Sequence, residues 1–236
     1  MFTENVVITI RRRGRPQGPT QRGIEARERL YREALALMAE RGFEASTMRD
    51  VARRAKVSAG LLYRYFPSKR AVVLELYDEL SREYAREGSR MPRGRWPRRF
   101  LFALNTSLAT LAPHRKVLSA LVPILVGDPA EGLFAARTAF SRERVQAVFE
   151  EAVTGASDAP SKEFGPALGR LLYLLHLVVI LWWLLDKSPK QGATEGLIRL
   201  IERATPRIAT ALRLPFVRSL VRYGDDLFRQ ALFAET

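Results

Sequence analysis

Between residues 46 and 70 the chain reads STMRDVARRAKVSAGLLYRYFPSKR, where cations and aromatic residues alternate with small apolar ones. No carboxylate pair or histidine cluster accompanies them, so the chemistry on offer is contact with a polyanion. Arginine can grip guanine O6 and N7 with two parallel hydrogen bonds. Lysine, tyrosine and backbone amides reach phosphates, which fixes position and carries no base information. The elements that must hold these groups are two short helices. Thr47 can cap the first, with Asp50 at its positive end, and Met48, Val51, Ala52 and Ala55 recur at helical spacing as its buried face. Lys56-Val57 make a turn, Ser58 caps a second helix over 59–65, and Pro67 ends it by pushing the residue before it out of the α region. A helix this short, braced by its predecessor, has the form of a recognition helix for a major groove.

The pattern T-x-x-D-V-A-x-x-A-x-V-S-x-x-x-L-Y-x-Y-F-x-S-K, from Thr47 to Lys69, resembles the DNA-binding domain of the tetracycline-repressor (TetR) family. The resemblance extends upstream through a helix at about 23–41, closed by Gly42 and Phe43, and downstream into a helix from Lys69. It covers roughly 65 of the 236 residues. One departure is Lys56, where the family usually has glycine. If that turn needs a positive φ, lysine costs about 1 kcal/mol there. The resemblance implies contacts with double-stranded DNA from Thr47, Arg49, Ser58, Ala59, Gly60, Leu61, Tyr63, Arg64, Tyr65 and Lys69. Of these, Arg49 is placed to meet a base edge or phosphate. Ala59, Gly60 and Leu61 suit thymine methyls and close backbone approach, and Lys69 suits a phosphate at a helix N-terminus. Leu62 and Phe66 read as core.

Charge is distributed to match. Residues 1–99 hold 23 Lys and Arg against 12 Asp and Glu, whereas residues 100–236 hold 16 against 13. A basic head on a nearly neutral body is the electrostatic footprint of a nucleic-acid binder. Residues 1–22 lack helical periodicity and contain Arg11-Arg12-Arg13-Gly14-Arg15-Pro16, a basic arm. Arg13 and Arg15 within it are candidates for a narrow minor groove, with a solubilising tail as the alternative. With no cysteine in the chain, disulfides and thiolate metal sites are excluded, and a reducing, cytoplasmic setting is expected. No secretory signal precedes the arginines.

The remainder reads as helices only, so the expected fold is all-α: a three-helix head over 23–68 and a larger helical body over 69–236, joined by a linking helix at 69–87. The stretch 88–97, with two glycines and two prolines, reads as a break. Helices are expected at 100–111, at 113–126 with a kink at Pro123, and at 132–153, 164–186, 194–212 and 216–233. The run from Leu171 to Leu185 is apolar on every side but shorter than the roughly 20 residues that span a bilayer. It must therefore be buried.

The resemblance implies a homodimer through a four-helix bundle of 164–186 and 194–212, with Leu177 and Leu181 inside it and Trp182 and Trp183 divided between interface and core. It also implies a small-molecule effector pocket, apolar or amphipathic in character. Phe102, Asn105, His114, Phe134, Phe140, Tyr173 and His176 are the candidate lining, His176 being either a ligand contact or a structural histidine.

Nucleotide loops, zincin and nucleophile-elbow motifs are absent from the sequence, and the two histidines stand far apart, so no enzyme, cofactor or metal is expected. The reading is a ligand-responsive transcriptional regulator, a repressor released by its effector. Its rivals are a nucleoid-like architectural protein and a membrane-surface helical protein.

Overall fold

The computed structural model describes residues 21–130 and 132–233. The basic arm, including Arg13 and Arg15, lies outside them except for Gln21 and Arg22, which open the first helix. Ten α-helices follow in order: α1 Gln21–Arg41, α2 Met48–Arg54, α3 Ala59–Tyr65, α4 Lys69–Gly88, α5 Trp96–Leu111, α6 Arg115–Gly127, α7 Ala139–Thr154, α8 Phe164–Leu185, α9 Gly192–Ala211 and α10 Pro215–Phe233. No strand occurs among the described residues.

Local chemistry sets the boundaries in the head. Gly42 follows α1 with φ +84°, a left-handed conformation that glycine takes without steric cost. The Thr47 hydroxyl accepts from the Asp50 amide at 3.1 Å and donates to the Asp50 carboxylate at 2.6 Å. Ser58 accepts from the Leu61 amide at 3.2 Å. Phe66, before Pro67, has left the helix at φ −131°. Lys56 does adopt a positive φ, +54°. Helical spacing predicts Ile24, Leu30, Tyr31, Ala34, Leu35 and Met38 as the inner face of α1; in the structure Ile24 is exposed and Leu37 takes a core place beside Leu30, Ala34 and Met38.

Two other expectations need correction. Helix α5 starts at Trp96, four residues early, because Pro97 sits in its first turn, where an amide hydrogen has no helical partner in any case. Helix α7 starts at Ala139, seven residues late. The Asp128 side chain accepts from the Ala130 amide at 2.8 Å, the Gly132 amide donates to the Asp128 carbonyl, and a short 3-10 turn at Ala136–Thr138 leads into the helix.

Two apolar clusters hold the fold. One joins the head to the body: Leu37, Leu62, Val72 and Leu76 share it with Leu118 and Leu121 of α6 and Trp183 and Leu184 of α8. The other lies in the body, around Tyr84, Phe100, Phe149, Leu168 and Tyr173. Helix α8 is long and apolar enough to cross a membrane by length and composition, yet it packs against α5, α6, α7, α9 and α10. It runs close against α7 at Gly169, where a Cβ would lie 2.7 Å from the Glu150 Cα.

Because the Lys56 turn is strained, Lys56→Gly is expected to raise unfolding free energy by about 1 kcal/mol. Urea denaturation of the two proteins at equal concentration measures this directly.

Candidate nucleic-acid interface and internal cavity

The caps at Thr47 and Ser58 and the turn at Lys56 hold α3 across α2. Their inward residues, Met48, Val51, Ala52, Leu62 and Phe66, are buried. The Phe66 ring stacks at 6.1 Å on Tyr31, and the Arg27 guanidinium lies 5.2 Å from the same ring. What remains outward is one continuous face. Arg49, Ser58, Ala59, Gly60, Tyr63 and Arg64 are exposed, and Leu61 and Tyr65 are half-buried at its edge. Tyr63 is 48% exposed although it is a large aromatic.

Gly60 carries information. A Cβ there would meet nothing within 4 Å. Glycine inside a helix costs roughly 1 kcal/mol against alanine, and neither packing nor a special φ at this position calls for it.

Lys69 is placed differently from the other cations. Its ammonium donates to the Phe43 carbonyl at 2.7 Å and lies 4.4 Å from the Phe43 ring centroid. It thus ties the start of α4 to the loop after α1, while Ser68 caps α4 by accepting from the Ala71 amide at 3.1 Å. Thr47 likewise spends its hydroxyl on Asp50, and that bond holds the Asp50 carboxyl below the usual carboxylate range.

The body holds a half-open cavity of about 520 Å³ between α4, α5, α6, α7, α8 and the C-terminal part of α10. Leucines and valines make most of its wall. Of the residues expected there, Phe134, Tyr173 and His176 line it. Phe102, Asn105, His114 and Phe140 do not. Asn105 is on the exposed side of α5, His114 sits in a 3-10 turn, and Phe140 packs outside against Arg144. Sequence reading missed Tyr77, Ser81 and Tyr84 because they belong to the same α4 stripe that builds the core. It also missed Ser107, on α5 opposite His176; Leu177 and Leu181, expected in the bundle interface, line this cavity as well.

His176 is 3% exposed and faces the Ser107 hydroxyl across 2.7 Å from Nε2. The Phe149 ring lies 4.7 Å away and the Tyr84 ring stacks at 6.4 Å. Nδ1 sits by the Tyr173 carbonyl one turn earlier without a well-formed hydrogen bond. Burial pushes the imidazole down to about 3, so it is neutral throughout the physiological range. In the unfolded chain the same group takes a proton below about 6.5. The unfolded state therefore binds the extra proton between these values, and stability falls as pH drops through that window. Between pH 6.5 and 5, the wild type is expected to lose about 2 kcal/mol more than His176→Gln, at roughly 1.4 kcal/mol per pH unit. Parallel urea titrations at the two pH values read out the difference.

Comparison with known proteins places both regions. The pattern of bacterial regulatory proteins of the tetR family matches residues 30–76, and that of the tetracyclin repressor-like C-terminal domain matches residues 99–227. The head is similar to the HTH-type transcriptional repressor KstR of Rhodococcus jostii, 49% identical over 75 residues, which are 31% of this chain and 34% of that protein. The Mycolicibacterium smegmatis KstR is 48% identical over 62 residues, 26% of this chain and 29% of its own. The matched segment thus spans about a third of the length of these curated relatives. In fold, the chain is similar to a TetR regulator from Nitrosomonas europaea, with TM-score 0.56 and 19% identity over 78% of this chain and 98% of that one. It is also similar to the regulator FadR of Bacillus halodurans, with TM-score 0.57 and 16% identity over 81% and 96%. With the head matched by one family pattern and more than half of the chain matched by the other, this protein belongs to the TetR family of bacterial regulatory proteins.

Proposed function

We propose that the protein is a cytoplasmic transcriptional repressor that binds a palindromic operator as a homodimer and releases it when a small apolar or amphipathic molecule fills the body cavity. The outward face of α3 carries this reading. It offers Tyr63 and Arg64 for the DNA backbone, with Arg49 of α2 beside them for a base edge, and it keeps a glycine that costs the helix stability. Gly60 and Ala59 let the backbone approach the groove floor, and Lys69 is proposed to reach a phosphate with the donors its Phe43 contact leaves over.

Helix α4 is the proposed link. Tyr77, Leu80, Ser81 and Tyr84 line the cavity. Further toward its N-terminus, Glu75 pairs with Arg27 and Glu79 accepts from the Tyr31 hydroxyl at 2.8 Å, both partners lying on α1 of the head. From the body side, Arg144 of α7 donates to the Ser81 hydroxyl at 2.6 Å and to the Asp78 carboxylate at 3.0 Å. A ligand that displaces α4 therefore moves the head. Two heads set roughly 34 Å apart for successive major grooves cannot both keep register. The coupling expected is of the usual order, about 1–3 kcal/mol.

For the dimer, the exposed apolar residues favour α8 and α10. Helix α8 presents Leu175, Val178, Trp182 and Leu185, with Trp183 buried, and α10 presents Phe216, Leu220, Tyr223 and Leu227 in one row. Helix α9 adds Leu200 and Ile208. So much contiguous apolar surface is unusual on a monomer.

Gel-shift titration tests the DNA contact. Gly60→Ala is expected to stabilise the head by about 0.5–1 kcal/mol yet weaken operator binding, because its methyl group meets only DNA. Tyr63→Ala should weaken binding without unfolding, whereas Leu62→Ala should cost about 2–5 kcal/mol of stability. If Gly60→Ala and Tyr63→Ala both bind like wild type, α3 is not the reading helix.

Sedimentation tests the dimer. Val178 and Leu220 are 63% and 64% exposed, so Val178→Asp and Leu220→Asp should stay folded and sediment as monomers. A wild-type monomer at micromolar concentration would end the dimer reading.

A further inference from the structure

The polar groups on the cavity wall restrict what can occupy it. Most are already committed within the protein. The Tyr84 hydroxyl donates to the Ala103 carbonyl at 3.2 Å, and Thr138 donates to the carbonyls of Gly132 and Ala135 at 2.7 and 3.0 Å. Arg142, the single charged side chain on the wall among the described residues, donates to the carbonyls of Leu133 and Ala135 at 3.3 and 3.2 Å. No Asp, Glu or Lys lines the described wall.

Tyr173 differs. It is 2% exposed and lines the cavity, and its hydroxyl meets no acceptor among the described residues. That hydroxyl opens onto the cavity, where a guest can supply the partner that buried hydroxyls nearly always have. Beside it on the same helix is His176, which meets Ser107 across 2.7 Å. All three groups are neutral, and most of the remaining wall is hydrocarbon, Arg142 being the one charge that acts on Tyr173.

We propose that the cavity selects an uncharged, largely apolar molecule with a hydrogen-bonding oxygen, a ketone or an alcohol, held by the Tyr173 hydroxyl beside the Ser107–His176 pair. This rests on the reading of the cavity as the effector site. A carboxylate at this depth would exchange its water shell for neutral partners, with the one guanidinium of the wall turned to loop carbonyls. An ammonium would find no anion on the described wall. Either exchange is unfavourable for a charge. A carbonyl or hydroxyl oxygen needs only one donor, and Tyr173 supplies it.

The test uses the full-length protein with the neutral dye Nile red as reporter, displaced by decane, decanol, methyl octyl ketone, decanoate and decylamine. Decanol and the ketone are expected to displace the dye about tenfold better than decanoate or decylamine, and Tyr173→Phe should erase their advantage over decane by removing one hydrogen bond. The charge comparison is made on the wild type and does not depend on any variant folding. Decanoate matching decanol, or an unchanged series in Tyr173→Phe, would overturn the proposal while leaving the cavity a ligand site. Nile red binding that is indifferent to Leu177→Trp, which fills the cavity, would instead overturn the effector-site reading and the proposal with it.

Discussion

The apolar stripe of α4 belongs to two packed clusters at once. Val72, Val73, Leu76 and Leu80 lie in the cluster shared by head and body, and Tyr84 lies in the body's second cluster. Packed interiors resist continuous deformation, so a helix held at both ends responds by shifting as a unit. The remaining arrangement follows from this. Helices α2 and α3 are too short to be stable alone and are fixed by what α1 and α4 bury. The cavity, in turn, is bounded on one side by the same α4 residues that complete the core.

Much of this was legible in the residues. Caps at Thr47 and Ser58, the stop at Pro67 and the helical spacing of Val72, Val73, Leu76, Tyr77, Leu80 and Tyr84 along α4 are local signals, and each is met in the structure. So is the strain at Lys56, because the turn geometry and the cost of a positive φ can both be argued from a few positions. The failures share a cause. The start of α7 depends on an Asp128 turn that competes with helix, and Pro97 looks alike whether it breaks a helix or opens one. The cavity wall was less legible still. Ser107 and His176 meet only when α5 crosses α8, 69 positions apart in sequence. Tyr77 and Tyr84 read as core because they are core, and they reach the cavity through the same burial.

The head shows stability yielded at two neighbouring places, with different consequences. Lys56 holds a left-handed turn that glycine would relax, and Gly60 loosens a helix that alanine would firm. Local preference and global fold usually agree in natural sequences, and where they conflict the site tends to be functional. Gly60 lies at the centre of the exposed α3 face and fits that pattern. Lys56 sits at the rim of the same face, exposed and cationic.

Helix α10 is pinned to α8 by a paired bond. The Arg170 guanidinium donates to both oxygens of Asp225 at 2.6 Å, and Asp225 is buried. From that anchor, α10 delivers Phe228 and Leu232 to the cavity, while Leu220, Tyr223 and Leu227 are exposed to solvent. The helix is a partition wall between the cavity and the outer surface. Whatever firms it from outside lowers the entropy still to be lost by a guest inside, and a guest inside firms it equally for the neighbour without. On the proposed reading, affinity for a guest and affinity for a second subunit would share one coupling free energy, so protein concentration would tune the sensitivity of the cavity.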